Sequence, residues 1–524
     1  MRSSSHFQNE KNVPRYAYVI AVALFLLAFL FRSQIIRAQI PDLKHLDTYI
    51  EESRREWEIP GVAVAIVKDD SIIFARGYGV RELGKKEKVD AHTIFAVASN
   101  TKAFTAALLG MLVEEGKISW DDRVTDYLRE FQLYDPYVTR EITIRDLLTH
   151  RSGLPRFGGD HLWIGSSKSR AEILHRIRYL QPNAPFRAKY QYQNIMFVAA
   201  GQIIPAVTGT SWDEFIEQRI FVPLGMSESC TSVRDLRNRK NVATPHEVVG
   251  GKLLPIEYDN VDNVAPAGAV NSNVVEMAQW MRLNLNQGVY NGKQILSQQI
   301  IREMQSVQMP IPISTSREKM FGTHFLGYGF GWLLFDYKGH KVVSHSGGLS
   351  GMISLQTLIP DENLGVIILT NFAPHSLTRA LTYRIIDAFL GEPERDWSAE
   401  YLVRRKKARE RQRKAEMELQ TSRIKGTKPS LKLEEYAGKY FDELSGEAEV
   451  KLENGHLLFY YNPRYIGDLE HWHYDTFRVA WRHPIYDMPG KTFLTFYLDE
   501  KGQVSEFKTS FYDPIYFKRV RQGE

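Results

Sequence analysis

Residues 101–115 carry a helical run, Thr-Lys-Ala-Phe-Thr-Ala-Ala-Leu-Leu-Gly-Met-Leu-Val-Glu-Glu, with no continuous polar face. A helix apolar on most of its circumference has to be buried, so this one is a central core element with others packed round it. Gly116 follows, a residue suited to the left-handed turn that ends a helix. Ser99 stands at its start and Lys102 one turn further along. Residues three apart on a helix share a face, so the amine is near enough to take the hydroxyl proton that otherwise makes serine a poor nucleophile. The helix dipole favours a developing alkoxide at the same end.

The Ser-x-x-Lys spacing alone decides nothing, because it occurs four times, at Ser99, Ser316, Ser422 and Ser505. Ser505 lies in an alternating, strand-like run, where positions three apart face opposite sides. Ser422 lies in a charged stretch, and Ser316 follows Ile311-Pro-Ile, which reads as a loop. Only Ser99 opens a core helix.

A lysine base leaves the leaving group and the oxyanion unattended. In Tyr190-Gln-Tyr192-Gln-Asn194, Tyr192 can relay a proton and Asn194 can hydrogen-bond the lysine and a substrate carbonyl. A rival Tyr-x-Asn occurs at Tyr258-Asp-Asn260; the apolar helix expected over 192–207 favours Tyr192 as the rigidly held one. A strand ending in His345-Ser-Gly347-Gly348 can bring backbone against a substrate, and the Gly348 N–H can pair with that of Ser99 as an oxyanion hole.

Ser99-x-x-Lys102, Tyr192-x-Asn194 and His345-x-Gly347 stand in the order of the three motifs of serine β-lactamases and penicillin-binding proteins, which this chain resembles. The Tyr-x-Asn motif is similar to the class C branch and peptidase family S12. His345 departs from it, standing where Lys-Thr-Gly is expected; His-x-Gly is similar to the esterases and D-amino-acid peptidases of that fold. Leu147-Leu-Thr-His-Arg-Ser-Gly-Leu-Pro155, Pro266-Ala-Gly268 and Tyr328-Gly-Phe-Gly-Trp332 match the same family. The resemblance implies Ser99 as the acylated nucleophile, Lys102 and Tyr192 sharing base and acid work, Asn194 positioning substrate, and a histidine whose charge varies with pH in place of a permanent cation. It implies a peptide, amide or ester substrate, with no cofactor and no metal. A receptor for penicillin or muropeptides with little turnover, or a weak β-lactamase, is the alternative.

The expected fold class is α+β: residues 39–395 form an antiparallel sheet flanked by helices, with a helical subdomain. Strands are expected at 61–67, 72–77, 328–335, 341–345, 352–360 and 364–370. Residues 396–430 read as a basic helical linker, whose charge run is a solvated face. Residues 431–524, with short alternating runs and turns at Glu453-Asn-Gly455, Met488-Pro-Gly490 and Glu500-Lys-Gly502, read as a small all-β barrel. They resemble the lipocalin-like tail of certain S12 peptidases, which implies homo-oligomers with restricted access. His471-x-His473-x-Asp475 mimics a metal motif but reads as packing rather than zinc.

The formal net charge of +5 is small for 524 residues, and with no zinc-finger or helix-turn-helix pattern it excludes nucleic acid as partner. The one cysteine, Cys230, excludes an internal disulfide. At the start, Arg2, Lys11 and Arg15 precede an apolar run over 16–31, ended by Arg32. Residues 1–38 therefore read either as an export signal cleaved after Ala38 or as a membrane anchor. Both place the rest of the chain in the periplasm or outside the cell.

Overall fold

The computed structural model describes residues 40–483, 492–511 and 514–521. The N-terminal segment and the Met488-Pro-Gly490 turn lie outside these residues.

Helix α1 (Leu43–Glu56), capped by the Asp42 carboxylate, leads into a hairpin of β1 (Gly61–Lys68) and β2 (Ser71–Gly79). Every residue of β1 is buried. Its unbroken apolar run, rather than an alternating one, suits a strand covered on both faces. The core helix α2 (Thr101–Glu114) comes next, and then α3 (Asn194–Thr208), ended by Gly209 in the left-handed region, and α4 (Val274–Leu285). The later strands are β3 (Met309–Pro310), β4 (Leu326–Tyr328), β5 (Leu333–Tyr337), β6 (His340–Leu349), β7 (Met352–Ile359) and β8 (Leu364–Thr370), followed by helix α5 (Leu377–Phe389).

These strands make one antiparallel sheet in the order β2-β1-β8-β7-β6-β5-β4-β3. The first and last strands of this domain thus lie side by side, next to the β2 edge, with Val64 opposite Ile368. Helices α2, α3 and α4 share the apolar core on one face, and α1 and α5 cover the other. Twelve of the fourteen α2 residues are buried. Phe104 stacks on Trp280 of α4 with ring centroids 4.2 Å apart, worth about 0.5–1.5 kcal/mol beyond the area buried. Such packing fixes the helix that carries Lys102.

Two expectations need correction. The strand expected over 328–335 is broken at Gly329-Phe-Gly-Trp332, because this stretch presses against α2. Gly331 has φ +76°, and a Cβ there would lie 2.6 Å from the Ala103 Cα. Ser316 is not in a loop: Ser314 accepts from the Arg317 N–H and starts a helix, Thr315–Phe321. Ser316 and Lys319 are both exposed on it.

Helix α6 (Trp397–Ser422) is solvated along its basic middle and held at its start by Trp397, whose Nε1 donates to Asp387 at 2.6 Å. It leads to a closed barrel of eight strands: β9 (Gly438–Asp442), β10 (Gly446–Glu453), β11 (His456–Asn462), β12 (Tyr465–His473), β13 (Thr476–Trp481), β14 (Phe493–Leu498), β15 (Val504–Ser510) and β16 (Pro514–Arg519). The β10–β11 turn puts Asn454 and Gly455 at positive φ, as a two-residue hairpin requires. Aromatic rings, among them Tyr440, Phe459, Phe496, Phe507 and Phe517, fill the barrel interior. Asp475 accepts from Ser430 and Tyr436, and the His471 ring meets the Tyr474 carbonyl.

Candidate active site

The nucleophile's turn is held from several sides. Ser99 lies in a 3₁₀ turn, Ala98–Asn100, immediately before α2, and Ala98 is forced to φ +49°. A non-glycine residue there is strained and persists because its surroundings over-determine it. The Ser354 hydroxyl donates to the Val97 carbonyl at 2.7 Å, the Asn100 amide donates to Ser354, and Thr101 Oγ1 donates to the Ala98 carbonyl. Strand β6 closes on the same turn. At Gly347 a Cβ would lie 2.1 Å from the Val97 oxygen, so only glycine allows this approach.

Lys102 is fully buried, with Nζ 3.1 Å from Ser99 Oγ, 2.8 Å from Asn194 Oδ1 and 2.8 Å from the Ala267 carbonyl oxygen. Burial pushes its amine down to about 7, against an opposing pull from Asp160. A neutral amine has two hydrogens and one lone pair. The Asn194 and Ala267 oxygens can only accept, so they take both hydrogens. The lone pair is then left for the Ser99 hydroxyl, which is the arrangement a general base needs.

The Ser99 side chain also acts on the Tyr192 phenol, and Lys102 Nζ stands 4.8 Å from the centre of the tyrosine ring. Burial raises the phenol well above its ordinary range, so it stays protonated. The rival Tyr258 is excluded, since its hydroxyl donates to the Ala243 carbonyl at 2.7 Å. Ser99, Asn194 and Gly348 all line one small cavity of about 40 Å³.

His345 is brought to this cluster but does not behave as expected. Its Nδ1 lies 2.7 Å from the Ser346 carbonyl, which only accepts, so Nδ1 carries the hydrogen. Nε2 therefore accepts from the Tyr328 hydroxyl at 2.9 Å. Burial and the neighbouring Lys102 charge push the imidazole down to about 3. It is a neutral residue at any physiological pH, not a pH-dependent cation.

Two residues here were given no role by the sequence: His150 lies in the Leu147–Pro155 stretch without one, and Asp160 lies in no motif. His150, at φ +57°, accepts the Gln193 N–H on Nδ1 at 3.0 Å and packs its ring 4.3 Å from that of Tyr192. Asp160 is buried and accepts from the Asn194 Nδ2 and Trp163 Nε1 groups at 2.8 and 2.9 Å. A carboxylate cannot donate, so Asp160 fixes the Asn194 amide with its oxygen toward Lys102. Replacing Asp160 by Asn should cost a charged hydrogen bond, about 1.5–3 kcal/mol or roughly 10- to 100-fold in kcat/KM. It also removes the charge that holds the Lys102 pKa up, so the acid limb of the pH–rate profile should move to lower pH. An unmoved limb in the purified variant rejects this role.

The pocket at Ser99 shares Trp163, Val261, Gly348 and Leu349 with an outer chamber of about 820 Å³. The barrel supplies part of that chamber's wall through Pro463, Arg464 and His483. Arg464 pairs with Asp259, and Asn462 Nδ2 donates to the Ile164 carbonyl at 3.0 Å, which docks this edge of the barrel. The segments that shape the pocket are thus 163–168 and 257–263 together with the β11–β12 turn.

A family model described as Beta-lactamase matches residues 46–389. The chain belongs to the Beta-lactamase family. It is a serine hydrolase of the β-lactamase and penicillin-binding-protein kind. A second model, a domain of unknown function (DUF3471), matches residues 422–523. Unguisins hydrolase ungD′ of Aspergillus campestris is 31% identical over 441 residues, 78% of each chain. Among solved structures, the octameric penicillin-binding protein homologue of Pyrococcus abyssi aligns at a TM-score of 0.61 with 24% identity, covering 91% of this chain and 100% of its own. D-amino acid amidase of Ochrobactrum anthropi SV3 aligns at 0.55 with 22% identity, covering 66% and 98%. Both likenesses concern the fold.

Proposed function

We propose that this Beta-lactamase family member is an exported hydrolase that forms an acyl-enzyme on Ser99 and cleaves amide, peptide or ester bonds, with substrates of the D-amino-acid type favoured. The observation that carries the reading is the buried Lys102 Nζ 3.1 Å from Ser99 Oγ, with its other two contacts made to acceptors only. Lys102 takes the hydroxyl proton as Oγ attacks the carbonyl carbon. The Ser99 and Gly348 N–H groups hold the oxyanion; as it collapses and the scissile bond breaks, Tyr192 gives its proton to the leaving group and takes the one Lys102 holds. Water then repeats the sequence on the acyl-enzyme.

A neutral His345 supplies no cation for the carboxylate of a β-lactam, which favours uncharged acyl groups over dedicated β-lactam hydrolysis. The names unguisins hydrolase and D-amino acid amidase support a peptide or amide substrate. The basic and apolar order of residues 2–38 supports export, with 16–31 as signal or anchor, and the octameric neighbour supports assembly into a homo-oligomer.

Turnover of D- and L-phenylalanine amides, p-nitrophenyl esters and nitrocefin should rank amides and esters above nitrocefin. A fluorophosphonate adduct should map to the peptide containing Ser99. With neither an adduct nor ester turnover, the hydrolase reading fails. A stable penicillin adduct without turnover would make the chain a receptor, and nitrocefin as the best substrate would make it a β-lactamase.

A further inference from the structure

Behind the strand that carries His345 lies a cavity the proposed chemistry does not use. Side chains alternate along a strand, so Ser344 and Ser346 of β6 lie on the side opposite Gly347, and His345 borders the same space between them. With Arg317, Arg379, Thr382 and Tyr383 they line a space of about 90 Å³ between the sheet, α5 and the helix Thr315–Phe321.

Two guanidinium groups converge there. Nε and Nη2 of Arg317 are buried and have no hydrogen-bond partner. The group is held over the Phe335 ring at 4.3 Å, and it feels the repulsion of Arg379. Among the described residues neither arginine forms an ion pair with a carboxylate. The carboxylate that acts on Arg317, Asp336, is already taken: it accepts from the His324 and Phe325 N–H groups and pairs with the His324 ring at 2.7 Å. Buried N–H donors without acceptors are costly, more so when charged, and two unneutralised cations beside one cavity add to that.

We infer that this cavity is a binding site for a small free oxyanion of the phosphate or sulfate class, held by Arg317 and Arg379. Such an anion accepts the orphaned Arg317 donors and neutralises both cations, and the fork geometry of guanidinium suits an oxyanion. A space of about 90 Å³ is small and suits a compact anion. Arg379 and Ser346 are exposed, so the mouth opens to solvent, and the Ser346 hydroxyl is placed to donate from the catalytic strand.

Thermal melting of the full chain in rising phosphate, at ionic strength held constant with chloride, tests this. Binding to the folded state alone should raise Tm saturably by a few degrees, and sulfate should follow phosphate while acetate does not. Titration calorimetry should return one site per chain. Arg317→Met and Arg379→Met should each abolish the shift. In chloride alone Arg317→Met should melt no lower than the wild type, because it loses an uncompensated buried charge. No phosphate-specific shift in the wild type overturns the site, as does an undiminished shift in Arg379→Met. That variant, altered only at an exposed residue, decides the matter even if Arg317→Met does not fold.

Discussion

Ser99→Ala should lose roughly 10⁴- to 10⁶-fold in kcat against whichever ester or amide proves the best substrate, and all fluorophosphonate labelling with it. The reason is local. Ser99 is, among the described residues, the hydroxyl that Lys102 contacts and that also acts on Tyr192. The fold should not notice the change. Lys102 keeps its acceptors Asn194 and Ala267, and the strained turn stays pinned by Ser354 and Thr101. The variant should therefore melt with the wild type and bind substrate with a similar Kd. The double variant Ser99→Ala/Lys102→Met should be about as slow as Ser99→Ala alone, since residues that act as a unit do not add. Residual labelling of Ser99→Ala, or additive losses in the double variant, would place the nucleophile elsewhere.

How far the site could be read in advance followed the range of the interactions involved. Ser99 and Lys102 share one helix turn, so spacing and an apolar continuation pick them out. Tyr192 and Asn194 stand beside another apolar helix, and the start of α3 holds them as that pattern implies. The position of His345 was legible for the same reason, but its protonation was not. That depends on Tyr328 from β4 and Lys102 from α2, which only the folded sheet brings together. Asp160 was illegible altogether. It sits in Phe157-Gly-Gly-Asp160 with no periodicity, and its meaning comes from an amide 34 positions away. The sheet shows the same division. Alternation located most of its strands, yet Gly329-Phe-Gly-Trp332 broke one of them to fit a helix more than two hundred residues earlier. Likewise nothing local in Pro463-Arg464 says that this turn of the barrel walls the outer chamber of another domain.

Lys102→Met should cost about 10²- to 10⁴-fold in kcat/KM, the range for a general base, and its pH profile identifies the base. In the wild type the base is the neutral amine, so kcat/KM should rise with pH, reach half its plateau near pH 7 and level off above. Methionine should flatten that limb. Arginine at the same position keeps a cation that does not titrate and should be as inactive as methionine, which separates a base from a mere positive charge. Stability supplies a second readout with a defined sign. The folded amine titrates at about 7, below the unfolded value of about 10.4. Between these pH values the unfolded chain binds more protons at this group, so unfolding becomes harder as pH rises through the window. Below pH 7 the buried ammonium carries its full burial penalty. The methionine variant has no such group and no such gain. Its Tm relative to wild type should accordingly fall as pH is raised from 7 toward 10. A constant difference across that window would mean that Lys102 titrates alike in the folded and unfolded chain, and the neutral-amine mechanism would have to be abandoned.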